Sequence, residues 1–122
     1  MSYNFNHITL VGRLVRDPEL KQIGESNSKC TFVLAVARRM KKEQRETDFI
    51  PVMIWGKFGI NASRLLKKGM PVLVSGRIQI RTIQLNDEYR SFIDVVADNF
   101  QLLSSMTTTD SKKGDQNEIE SA

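Results

Sequence analysis

Apolar and polar positions alternate along most of the first hundred residues, with one change of period. From position 8 to 15, Ile8, Leu10 and Leu14 share one parity, and Thr9, Val11, Arg13 and Val15 the other. A strand with one buried face has this pattern. Gly12 interrupts it at a point suited to a bulge or sharp bend, and Pro18 in RDPEL ends it. A polar loop, 24–29, leads into a second strand, CTFVLAVARRM at 30–40, where Phe32, Leu34 and Val36 alternate with Thr31, Val33, Ala35 and Ala37. The charged loop KKEQRE, 41–46, precedes TDFIPVMIWGKF at 47–58. Here Ile50, Val52 and Ile54 fall on one parity and Phe49, Met53 and Trp55 on the other, so this third strand has two apolar faces. One face fills a core; the second needs another explanation.

After Gly56 the spacing becomes helical, with Phe58, Ala62, Leu65 and Leu66 as the apolar stripe and Lys67-Lys68-Gly69 as the terminator. The lysines suit the negative end of a helix dipole, and Gly69 suits a left-handed C′ position. Pro71 opens a fourth strand over 72–83, bent at Gly76, and Asn86-Asp87 signals a hairpin turn into last-strand material from Tyr89 to about Leu103. The order β-β-β-α-β-β predicts an all-β domain over 1–103: a five-stranded OB-fold barrel with one short α-helix between strands three and four. Residues 104–122 are rich in Ser, Thr, Asp, Lys, Gln and Asn, with Met106 and Ile119 as the only large apolar residues, and are expected to be a disordered, mildly acidic tail.

Composition narrows the function classes. No apolar run approaches the roughly 18 residues that cross a bilayer, and the start MSYNFNHITL lacks the basic flank and apolar core of a secretory signal. Cys30 is the only cysteine, which excludes an intramolecular disulfide. A soluble cytoplasmic protein is expected. The net charge is +4; the segment 107–122 carries four acids against two lysines, so the body is left with +6. A basic body favours a polyanionic partner. No metal-ligand cluster, phosphate-cradling glycine loop or nucleophile constellation appears, so neither an enzyme nor a cofactor is expected. His7 reads as structural or interfacial, Cys30 as a small apolar filler, and Asp94 and Asp98 as groups that cap or bridge to arginines.

Three stretches carry a family resemblance: LVGRLVRDPEL at 10–20, DFIPVMIWGKF at 48–58 and LLKKGMPVLVSGRIQIR at 65–81, with the weaker VVADNFQLL at 95–103. In this order and spacing the chain resembles the bacterial single-stranded DNA-binding proteins. The resemblance implies an OB-fold, a homotetramer (or a dimer) paired through the edge of the first strand near His7, Thr9 and Val11, and sequence-tolerant coating of single-stranded DNA in replication, recombination and repair. It places aromatics at the positions of Met40, Phe49, Trp55 and Ile83, of which only Phe49 and Trp55 keep a π-face. Weaker stacking is therefore expected, with electrostatics carrying more of the affinity. The usual acidic run closing on Pro-Phe, which recruits replication and recombination proteins, is absent from the ending NEIESA. A polar or basic residue is usual where Pro51 stands.

The residues support the same chemistry. A binder without sequence preference must use what every nucleotide shares, a phosphate charge and a base with a π-face. Arg38, Arg39, Lys57, Arg77 and Arg81 are the candidate phosphate contacts, Phe49 and Trp55 the candidate stacking residues, and Met40 and Ile83 weaker apolar contacts. Against this stand plainer readings. Trp55 could fill the core, the arginines could be a solvated face, and Lys67 and Lys68 read as helix-end charges. Two other functions also fit: an RNA-binding or primosome-assembly OB-fold, and a module whose Phe49–Met53–Trp55 face meets a protein. Pro51, which donates no backbone hydrogen bond, is expected at a bulge or an unpaired edge.

Overall fold

The computed structural model describes residues 3–39 and 46–103. Met40 and the tail 104–122 lie outside the described residues. The elements are β1 (Ile8–Leu14), β2 (Glu19–Ile23), β3 (Asn27–Ala37), β4 (Thr47–Trp55), α1 (Gly56–Leu65), β5 (Pro71–Leu85) and β6 (Glu88–Leu102). The five strands expected from alternation are β1, β3, β4, β5 and β6, and the single helix falls between the third and fourth of them. A sixth, β2, forms a hairpin with β3 through the turn at 24–26. All five of its residues are exposed, so no apolar parity marks it in the sequence. The polar loop expected at 24–29 is correspondingly shorter, because β3 begins at Asn27.

The sheet runs β1-β5-β6-β4-β3-β2, and an additional β1–β3 pairing closes the ring β1-β5-β6-β4-β3. All pairings are antiparallel except β4–β6, which is parallel over Val52–Ile54 and Val95–Ala97. The core inside is built from the inward parity: Leu14, Phe32, Leu34, Val52, Ile54, Val72, Val74 and Val95, with Cys30 fully buried among them. Burial alone pushes the Cys30 thiol up to about 11, which suits a filler rather than a nucleophile. Gly76 sits at the irregularity in the β5–β6 ladder, where a side chain would collide with the Val96 carbonyl and lie 2.7 Å from Ala97 Cα. Two strands cross there too closely for anything but glycine. Asn86 and Asp87 both adopt positive φ (46° and 67°), the type I′ geometry that joins strands with a two-residue loop.

The helix differs from its expected form in two ways. Gly59 and Ala62 are its buried residues, with Leu66 buried just beyond, whereas Phe58 and Leu65 are exposed. The face that meets the barrel follows 59, 62 and 66, and Gly59 lets α1 press against the Ile54 carbonyl. The helix also ends at Leu65 with Leu66 as its C-cap, so Lys67 and Lys68 lie just beyond its last turn, where the basic residue is Arg64. Gly69 (φ 87°) instead occupies a tight turn closed by Met70 N–H donating to the Lys67 carbonyl at 3.1 Å.

Candidate nucleic-acid interface

The second apolar parity of β4 points out of the barrel. Phe49 is 64% exposed and Trp55 42%, while Val52 and Ile54 are buried. The strand registers extend this face sideways. Thr31 pairs Met53, Met53 pairs Val96, and Val96 pairs Arg77, so one row on the outward parity crosses β3, β4, β6 and β5, with Val96 itself only 8% exposed. Along each strand the same parity continues: Lys29 and Ala35 on β3, Phe49 and Trp55 on β4, Arg90 and Phe92 on β6, Arg81 and Ile83 on β5. A groove of about 670 Å³ covers part of it, walled by Lys29, Thr31, Pro51, Met53, Arg81 and Asp94 together with Arg16, Asp17 and Glu19. Phe49, Trp55, Arg77, Arg81 and Ile83 thus all carry the outward parity of the ring.

The basic residues are not equivalent there. Arg38 donates from Nε and Nη2 to Asp48 (2.9 to 3.2 Å) and from Nη1 to Glu46 (2.8 Å). Those hydrogen bonds hold the Asp48 carboxyl below its ordinary value and raise the guanidinium further. Arg81 donates from Nε to Asp94 at 2.8 Å, and Asp94 is only 2% exposed. This bears out the bridging reading of Asp94; Asp98 is exposed and is itself the unpaired residue of the β5–β6 irregularity. Arg77, Arg39 and Lys57 are exposed and form no salt bridge among the described residues. Lys57 is not on the third strand, as the alternation suggested, but in the first turn of α1 immediately after Trp55. No acidic residue offsets it there, so positive charge gathers beside the indole.

Lys29 falls in the stretch expected to be a loop, yet it lies on β3. Its Nζ lies over the Trp55 ring, 5.4 Å from the centroid. Phe92 is likewise unmarked in the sequence, for want of a parity along the last strand. Pro51 fits its environment: it pairs Val33, whose carbonyl accepts from Val15 on the far side, so this is a non-hydrogen-bonded pair of the β3–β4 ladder. Its missing N–H faces the other edge of β4, one residue before the β6 pairing begins. His7 is exposed, 3.1 Å from Thr9 Oγ1 and stacked near Phe5. Among the described residues no group of His, Cys, Asp and Glu could hold a metal ion, and no helix is long and apolar enough to cross a membrane.

A closed ring with one parallel seam and a helix before the fourth ring strand define an OB-type barrel. Comparison with known proteins gives the family. Residues 5–103 match the Single-strand binding protein family, and the chain belongs to it. It is 44% identical over 104 residues to Single-stranded DNA-binding protein 1 of Clostridium acetobutylicum, covering 82% of this chain and 94% of that one. It is 38% identical over 115 residues to the Single-stranded DNA-binding protein of Streptococcus mutans, covering 92% and 70%. Among solved structures, the small single-stranded DNA-binding protein from Streptomyces coelicolor superposes with a TM-score of 0.71 at 27% identity, over 82% of this chain and 95% of that one.

Proposed function

We propose that this protein binds single-stranded DNA with little sequence preference, protecting it during replication, recombination and repair. It acts by binding rather than by catalysis, in the bacterial cytoplasm or nucleoid. The observation that carries the reading is the outward row Thr31–Met53–Val96–Arg77, which joins the Phe49 and Trp55 rings to Arg77 and the groove on one continuous face. Family membership and the names of the relatives point the same way.

In this reading Phe49 and Trp55 stack bases, each contributing about 1–3 kcal/mol. Arg39, Lys57 and Arg77, with the newly found Lys29, meet phosphates. Arg38 and Arg81 contribute less charge than their number suggests, because each already faces a carboxylate. Ile83 and Met40 supply apolar contact. The β1 edge over Ile8–Val11, which has no β3 partner among the described residues, suits pairing with a second copy on the way to a tetramer.

The test uses the single tryptophan. Oligo-dT is expected to quench Trp55 fluorescence while duplex DNA leaves it unchanged, and each phosphate neutralised should add about −0.7 to the slope of log affinity against log salt. Saturation with oligo-dT that leaves the emission untouched would remove Trp55 from the stacking role. Failure to bind any single strand would remove the function.

A further inference from the structure

The β5–β6 hairpin reaches beyond the barrel, and its two faces differ. Arg81 pairs Phe92, Ile83 pairs Arg90 and Gln79 pairs Asp94, so these residues share the outward face that continues from Val96 and Arg77. Tyr89 pairs Gln84 and belongs to the opposite face. Phe92 is therefore the one aromatic on the hairpin's outward face. It is 41% exposed, although a phenylalanine outside the core gains nothing from water. Its ring is not loose. The Arg81 guanidinium lies over one side, 5.0 Å from the centroid, and is itself held by the buried Asp94 carboxylate. Arg81 and Asp94 also line the groove that passes Met53 and Pro51. Along β6, Phe92 stands four residues from the Val96 row, about 13 Å at the usual rise.

We infer that Phe92 is a further base-stacking residue: a nucleobase packs on the ring side opposite Arg81, and the Asp94–Arg81 pair fixes the ring for it. Two features separate this from passive packing. The ring sits on the face that carries Trp55 and Phe49, not on the hairpin's other side. A cation on one side of a π-system also orients it before any ligand arrives, which lowers the ordering cost of stacking. Arg81 is thus a positioning residue whose charge is already matched by Asp94. The inference deepens the single-strand reading and rests on it.

The experiment compares F92A, F92L and F92Y with the unaltered chain, by anisotropy of labelled oligo-dT and of an abasic oligomer of equal length. F92A and F92L are expected to bind oligo-dT roughly 5- to 150-fold more weakly, with F92Y within about twofold of the unaltered chain. The difference should vanish on the abasic oligomer, which keeps the phosphates and lacks the bases. Leucine preserves apolar bulk, so a purely structural ring would leave F92L unaffected, and oligo-dT affinity of F92L equal to that of the unaltered chain overturns the inference alone. If the unaltered chain itself ignores oligo-dT, the single-strand reading falls and takes this inference with it. A second readout is independent of affinity. In the W55F/F92W double variant the only indole stands at position 92, and its emission is expected to fall as oligo-dT saturates the protein. Saturation without quenching counts against stacking there.

Discussion

Arg38 and Arg81 show how a basic residue changes meaning once its neighbours are in place. In the sequence both count as free cations at the margin of a binding strand. In the fold Arg38 is shared between Asp48 and Glu46, and Arg81 is committed to Asp94. Because Arg38 depresses the Asp48 pKa, the pair stabilises the folded state above the ordinary carboxylate value and is lost as pH falls through the lower folded one. Both side chains are about half exposed, so the effect on stability is small. The ionisation itself is measurable. Carbon-detected NMR titration is expected to place the Asp48 midpoint below 3.8, and R38A should bring it back up. A midpoint indifferent to R38A would mean that the clamp does not persist in solution.

Among the elements, what could be read from the sequence depended on which side of the ring a strand faces. β1, β3, β4 and β5 each have one parity in the core, and alternation exposed all four. β2 buries neither side, so nothing in ELKQI announced it. β6 hides its order for a different reason. Asp94 and Val96 belong to the outward parity, but beyond the extra residue Asp98 it is Asn99 and Gln101 that are exposed while Phe100 packs on the core. The bulge reverses the parity within one strand, and that is why Phe92 was not recognisable as an outward position. Lys57 counts with the apolar run 47–58 by position, yet the spacing already turns helical at Gly56 (φ 74°), and it lies in the first turn of α1. Gly76, by contrast, was legible and is a stringent test of the crossing. G76A is expected to cost about 1–3 kcal/mol or more, since the added methyl meets backbone rather than a side chain that can move aside. Urea unfolding followed by Trp55 emission measures it; an unchanged midpoint would show that the strands can part there freely.

At the scale of the whole molecule, the ring is less uniform than its closure suggests. β5 and β6 pair along nearly their full length, and β3 pairs β4 from Lys29–Trp55 to Ala37–Thr47. The joints between these two halves are short: three register pairs between β4 and β6, and two between β1 and β3. Local opening starts where the fewest interactions must be lost. Amides along the β4–β6 joint are therefore expected to exchange with solvent sooner than those in the middle of the β5–β6 ladder, and equal protection in both places would contradict this. The proposed path of DNA, from Trp55 and Met53 across to Arg77 and Phe92, passes directly over that joint. A bound strand would act as a staple, so saturating oligo-dT should slow exchange there more than in either half. Short joints would then turn occupancy into mechanical closure, and the protein would be stiffest when loaded.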